Sequence, residues 1–201
     1  MTVGTSRAPE PAARPPEPSP EFRAIDWDGW RPDLEATLLF VVRDERVLLI
    51  HKKRGLGAGK LNAPGGKVDA GETPREAAIR EFEEELGARP LRPERAGVVA
   101  FEVVDGPSIR IHVFRSDDVE GEPIETDEAI PVWRPRDHIP YDAMWEDDRY
   151  WLPLVLERRP FHVRTLFHGD RLLGIEVRTP ADLPDEPAGP AGPRSRPEGE
   201  P

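Results

Sequence analysis

The sequence predicts an α+β sandwich with a mixed sheet, and three observations carry that reading. Extended stretches of period two stand on both sides of one strongly marked helix over residues 74–86. That helix has its own start and stop signals. A second helical stretch, from Asp148 to Leu156, lies near the end of the core, so helices are available for more than one face of a sheet.

The elements follow in order. Ala36 to Arg43 is a nearly continuous run of β-formers, and Asp44-Glu45 turns it into a partner from Val47 to Lys52. Gly97 to Val104 leads through Asp105-Gly106-Pro107 into Ile109 to Phe114, a hairpin with clean alternation. Ala129 to Trp133 is a short extended piece between prolines. Pro153 limits the helical stretch around it. Phe161 to Phe167 and Leu172 to Val177, around His168-Gly169-Asp170, form a last hairpin.

The marked helix opens with Thr73-Pro74-Arg75-Glu76, a capping box with proline at the first helical position, and closes on Gly87. Ala78, Phe82 and Leu86, with Ile79 beside them, make its apolar stripe. Glu81, Glu84 and Glu85, at i, i+3 and i+4, put three carboxylates on one face. Like charges that dense destabilise a helix unless a cation sits among them, so the face asks for a hard, oxygen-loving metal such as Mg²⁺, with Mn²⁺ as its substitute. Mg²⁺ usually completes its shell with water and substrate phosphates, which makes this a site for phosphate chemistry. Arg80 can pair with Glu84 one turn on or with Glu72 across the loop. Gly65-Gly66 gives a backbone able to approach closely and present a carbonyl to a metal.

Composition bounds the rest. Residues 1–32 and 180–201 hold seven prolines each of the chain's 25, and are expected to be disordered tails around a core domain over 33–179. Trp27 and Trp30 either dock on the domain or belong to a sticky linker. The net charge is −11, of which the tails carry −1 and −3, leaving −7 in the core. A core that acidic is a poor partner for nucleic-acid backbone, although a bound metal would let it take a small phosphate ester. There is no cysteine, and so no disulfide framework or thiol chemistry. No apolar run approaches a membrane span, and no signal segment opens the chain, so a soluble, cytoplasmic, monomeric protein is expected.

The stretch Gly66–Ala88 also fits a named pattern. Gly66, Glu72, Arg80, Glu81, Phe82, Glu84, Glu85, Gly87 and Ala88 fill the Nudix hydrolase signature without a gap. Seven of these positions demand one residue type, so chance agreement is on the order of one in a hundred million per start point. A solvated acidic face would need no fixed glycine or arginine. Lys52 through Lys67, Glu125 through Glu128, Met144 through Leu154 and Arg159 through His162 resemble the MutT-like enzymes of animals that clear oxidised purine nucleoside triphosphates. Departures are Leu56 and Leu61, where that family is usually aromatic, and Glu146, where it has proline.

The resemblance implies an α/β/α sandwich with a mixed sheet. It also implies a Mg²⁺-dependent diphosphatase that cleaves substrates such as 8-oxo-dGTP or 2-hydroxy-dATP to the monophosphate and pyrophosphate, sanitising the nucleotide pool. Metal would be held by Glu81, Glu84, Glu85, Glu128 and the Gly65 carbonyl, with Arg80 supporting the glutamates. Glu81, Glu84 and Glu128 are the candidates to take a proton from the attacking water. Thr37, Gly65 and Gly66 would line the substrate site, and Lys52 and Lys67 would touch phosphate or sugar unless they are ordinary surface lysines. Trp145 can stack on a purine, and Asn62 can meet its edge. Asp147 and Asp148 either share a proton and read the base or cap the following helix. The five histidines show no ligand spacing, and Trp133 and Trp151 are expected in the core. Alternatives are hydrolysis of another nucleoside diphosphate derivative, such as a dinucleoside polyphosphate or nucleotide sugar, and a non-catalytic nucleotide-binding module.

Overall fold

The computed structural model describes residues 15–55 and 57–179; the outer parts of both expected tails and Leu56 lie outside the described residues. After a short helix, α1 (Pro20–Ala24), come β1 (Leu34–Arg43), β2 (Arg46–Lys52) and the two-residue β3 (Leu61–Asn62). The signature helix is α2 (Pro74–Leu86). It is followed by β4 (Arg89–Leu91), β5 (Glu94–Val103), β6 (Ile109–Ser116), β7 (Asp118–Glu120) and β8 (Ala129–Pro135). Helix α3 (Asp148–Leu156) continues through Pro153, and β9 (Phe161–His168) and β10 (Arg171–Arg178) close the domain. No helix among the described residues is long and apolar enough to cross a membrane.

The main sheet runs β10-β9-β5-β6-β1-β2, with β8 and β3 also paired to β2. The β1–β6 and β5–β9 pairs are parallel and the others antiparallel, so the sheet is mixed as expected. Asp44 and Glu45, both at positive φ, make the tight β1–β2 turn. The period-two alternation sorts side chains to two faces. Phe40, Val42, Leu49, Val99, Phe101 and Val113 pack with Trp151, Leu152 and Val155 of α3. Leu39, Val41, Leu48, Ile50 and Phe114 pack with Ala78, Phe82 and Leu86 of α2. Each such large side chain contributes about 1.5–3 kcal/mol when fully buried, so the stripe on α2 holds the helix to the sheet and fixes where its carboxylates point.

One expectation is corrected. The chain from residue 15 onward is not a loose tail: Ser19 caps α1, and Phe22 buries its ring on β10 at Gly174, where a Cβ would lie 2.5 Å from it. Trp30 is 9% exposed and donates from Nε1 to Glu102 Oε2 at 2.6 Å. Proline content weighed against burial, but Pro20 falls in the first turn of α1, where a missing N–H costs nothing. Phe22, Trp27 and Trp30 supply the apolar area that the composition obscured.

Candidate active site

The site begins where β1 parts from β2. Only Val41, Val42 and Arg43 pair with β2; the rest of that edge is taken by the loop before α2. Leu39 N donates to Pro64 O at 2.9 Å, Thr37 N to Gly66 O at 2.8 Å, and Val68 N to Glu35 O at 2.9 Å. Both glycines are required by close approach. A Cβ on Gly65 would lie 2.0 Å from the Thr37 carbonyl oxygen, and one on Gly66 would lie 2.3 Å from the Glu81 carboxylate. The Gly-Gly loop is thereby pressed between β1 and α2.

The capping box forms at Thr73 and Glu76, and Gly87 closes α2 in the left-handed region. Its three glutamates are spread by depth: the side chain of Glu85 is 1% exposed, Glu81 17% and Glu84 55%. Glu85 accepts from the Gly65 N–H at 2.9 Å and from Lys52 Nζ at 3.0 Å. Lys52 Nζ also donates to the Gly65 carbonyl at 3.0 Å. Burial raises the pKa of Glu85 against the pull of Lys52. Burial likewise raises Glu81, against the hydrogen bond from Arg80.

Arg80 makes both pairings that the sequence offered. It clamps Glu72 through Nε and Nη2 at 3.1 and 2.7 Å and reaches Glu84 through Nη1 at 3.2 Å. It also binds Glu81 at 3.0 Å and the Lys67 carbonyl at 3.1 Å. Held on several sides, the guanidinium fixes loop and helix together. Glu128 pairs with Arg54, and its loop is tied to the end of α2 by Thr126 Oγ1, which donates to the Glu85 carbonyl at 2.8 Å.

A cavity of about 780 Å³ joins these groups to a second cluster. Thr37, Lys52, Asn62, Gly65, Gly66, Lys67, Glu81, Glu85, Glu128, Trp145, Asp147 and Asp148 all line it; Arg80 and Glu84 do not. Thr37 Oγ1 is buried with no partner among the described residues. Asn62 Oδ1 accepts from Ala63 N at 2.8 Å. Trp145 stands edge-on to Phe101 and Phe167, at 5.4 and 5.3 Å, with Lys60 Nζ 5.0 Å from its ring.

Asp147 does not cap α3. Asp147, at the cap position, makes no capping hydrogen bond; its Oδ2 accepts from Trp151 Nε1 at 2.9 Å, and its Oδ1 is buried with no partner among the described residues. Asp148 Oδ2 accepts from Trp145 N at 3.1 Å. Burial pushes the Asp147 carboxyl up to about 6. Burial, and then the neighbouring Asp147, pushes Asp148 well above the ordinary range. Two adjacent carboxyls that resist full ionisation can present a donor and an acceptor side by side.

Sequence reasoning passed over part of this site. The apolar wall of Leu34, Leu38, Val99, Phe101, Ile109 and Ile111 lines the cavity, and so does Arg54. The wall was available in the alternation of three strands. The Arg54–Glu128 pair joins residues 74 apart and left no local signal. His112 sits against Glu35 at 2.7 Å, and Trp151, expected only in the core, is buried and also lines the cavity.

Among the described residues no three carboxylates or imidazoles converge as a finished metal cage. The donors nevertheless suit a hard divalent cation: three carboxylates and a backbone carbonyl meet one cavity, and Lys52 already places a cationic group between the Gly65 carbonyl and Glu85. A cation that keeps water and substrate phosphate in its shell needs no closed protein cage.

Comparison with known proteins agrees with this construction. The NUDIX domain matches residues 33–155. The chain is 47% identical to the oxidized purine nucleoside triphosphate hydrolase of Danio rerio over 126 residues, covering 62% of this chain and 81% of that protein. It is 44% identical to the Mus musculus protein of the same name over 144 residues, covering 71% and 92%. A solved structure of the MutT protein from Bacillus halodurans superposes with a TM-score of 0.65 at 26% identity, over 72% of this chain and 97% of that one. The unbroken signature, its placement on α2 against the Gly-Gly loop and these matches together mean that the chain belongs to the Nudix family.

Proposed function

We propose that this protein is a divalent-metal-dependent hydrolase of oxidised purine nucleoside triphosphates, such as 8-oxo-dGTP and 2-hydroxy-dATP. It releases the nucleoside monophosphate and pyrophosphate and so keeps damaged nucleotides from DNA synthesis. The observation that carries the reading is the single cavity shared by Glu81, Glu85 and Glu128 on one side and Trp145, Asp147 and Asp148 on the other. The names of the animal relatives support the substrate class.

Glu81, Glu84, Glu85, Glu128 and the Gly65 carbonyl would hold Mg²⁺, or Mn²⁺ in its place. Bound there, the metal supplies charge neutralisation for the triphosphate and lowers the pKa of the attacking water. Lys52 and Lys67 neutralise phosphate oxygens, with Thr37 Oγ1 as a further donor inside the cavity. Arg80 keeps Glu81 and Glu84 in fixed rotamers and does not itself touch substrate. Glu81, half-buried and raised in pKa, is suited to take the proton of the attacking water. Trp145 packs against the purine, Asn62 meets its edge, and Asp147 with Asp148 pairs with the altered donor pattern of an oxidised base. The enzyme acts as a cytoplasmic monomer on small nucleotides. Product analysis by phosphorus NMR tests the reaction: monophosphate and pyrophosphate are expected, whereas nucleoside diphosphate and orthophosphate would overturn the proposal.

A further inference from the structure

We infer that the segment before β1 is a backing strap that shapes the base-binding part of the cavity, with Trp30 as its positioning residue. The inference rests on reading the cavity as a nucleotide pocket. The strap precedes residue 33, where the match to the NUDIX domain begins.

Leu34, Phe101 and Ile109 face the cavity from β1, β5 and β6, while their neighbours Glu35, Glu102 and Arg110 lie on the opposite side of the sheet. Trp30 packs on that back side. Its Nε1 donates to Glu102 Oε2 at 2.6 Å, and the Arg110 guanidinium lies 5.7 Å from its ring. Arg110 in turn donates to Glu35 Oε1 at 2.9 Å, so one indole joins β5 to β6 and, through Arg110, to β1.

Two further ties hold the strap in place. Ser19 N donates to Leu173 O at 2.9 Å, and the Asp33 carboxylate accepts from Ser108 N at 3.0 Å beside the turn that carries Pro107 into the cavity wall. On the front side Phe101, next to Glu102, meets Trp145 edge-on at 5.4 Å. A strand that slides at Glu102 therefore moves Phe101 and, with it, the aromatic against which the base packs. The triphosphate end, held by α2 and the Gly-Gly loop, is anchored separately.

The test uses full-length Trp30→Ala, Trp30→Phe and Glu102→Gln with the nucleoside triphosphate that the wild type turns over best. Steady-state kinetics are paired with calorimetric binding of the corresponding monophosphate in EDTA, which reads the base site without the metal. Trp30→Ala should raise KM and weaken monophosphate binding by about tenfold, the scale of losing a hydrogen bond to a charged group, with kcat within about twofold. Trp30→Phe keeps most of the packing and should fall between Trp30→Ala and wild type, which preserves the test should the alanine variant not fold. Glu102→Gln keeps an acceptor for the indole hydrogen but loses its charge, so it should raise KM and weaken monophosphate binding by less than Trp30→Ala does. A drop in melting temperature with KM and monophosphate affinity unchanged would overturn the inference, as would a fall in kcat alone. Failure of the functional reading would show itself separately, as a wild type with no preference for oxidised purines.

Discussion

Lys52 and the buried Glu85 form a part-buried ion pair, Nζ to Oε1 at 3.0 Å, closed into a ring by Gly65. The same ammonium donates to the Gly65 carbonyl at 3.0 Å, and the Gly65 N–H donates to the other Glu85 oxygen at 2.9 Å. Strand β2, the loop and α2 are joined at one point, and the deepest carboxylate of the signature is held by two different donors. A buried charge that loses one partner is costly, so this ring makes a sharp test of the site's electrostatics.

Replacing Lys52 with Met should destabilise the fold by roughly 1–3 kcal/mol at pH 8. Burial raises the folded-state pKa of Glu85, and Lys52 opposes that shift. Without Lys52 the carboxyl rises further, so the penalty is absent at acid pH, where Glu85 is protonated, and grows as pH climbs through its raised pKa. Thermal unfolding at pH 4 and pH 8 checks this. Equal losses at both would mean that Lys52 matters only through packing.

The three glutamates of α2 should rank by depth. Glu85→Gln should cost at least ~100-fold in kcat, the scale of losing one preorganised electrostatic group, and Glu81→Gln a comparable amount. Glu84→Gln, at a side chain more than half exposed and outside the cavity wall, should cost least. Chelation should abolish turnover, and added Mg²⁺ should restore it. Steady-state rates of the three variants in saturating metal give the order.

The glycines separate stability from activity. Gly65→Ala would set a Cβ 2.0 Å from the Thr37 carbonyl at a φ of 156°, so it should lower the melting temperature substantially. Gly66→Ala would set a Cβ 2.3 Å from the Glu81 carboxylate, pushing a side chain off its Arg80 contact rather than meeting backbone, and should cost activity more than stability. Calorimetry and kcat on the two variants should show this crossing pattern.

Asp147 should make the fold less stable as pH rises. Its folded pKa is pushed up to about 6, above its ordinary value of 3.8, so the favourable contribution is complete below pH 3.8 and lost as pH passes 6. Asp147→Asn should therefore melt higher than wild type at pH 8, with the gap closing near pH 4. A variant that melts lower at pH 8 would show that the carboxylate is stabilised as an anion.

Much of this was legible in the sequence because the decisive signals are local. The capping box, Gly87 and the stripe Ala78, Phe82 and Leu86 fixed α2 and its glutamates, and alternation gave the hairpins. The ordering of Glu81, Glu84 and Glu85 by burial was not legible, since it depends on how deeply the helix sits against the Gly-Gly loop. Local sequence also left Asp147 and Asp148 between a cap and a base-reading pair. The cap is removed for Asp147, whose oxygen takes the Trp151 indole, while Asp148 takes the Trp145 amide three residues before it. Trp30 was obscured by the prolines around it, because its partner Glu102 lies 72 residues away.

The central claim is that Asp147 and Asp148 read an oxidised purine while the glutamates handle its phosphates. The most direct measurement is the ratio of kcat/KM for 8-oxo-dGTP to that for dGTP, in the wild type and in Asp148→Asn. The account predicts a clear preference for 8-oxo-dGTP in the wild type. In Asp148→Asn the preference should shrink through a rise in KM for the oxidised nucleotide, by an amount equivalent to ~1–3 kcal/mol, with kcat less affected. No preference in the wild type, or equal losses for both nucleotides in the variant, would contradict it.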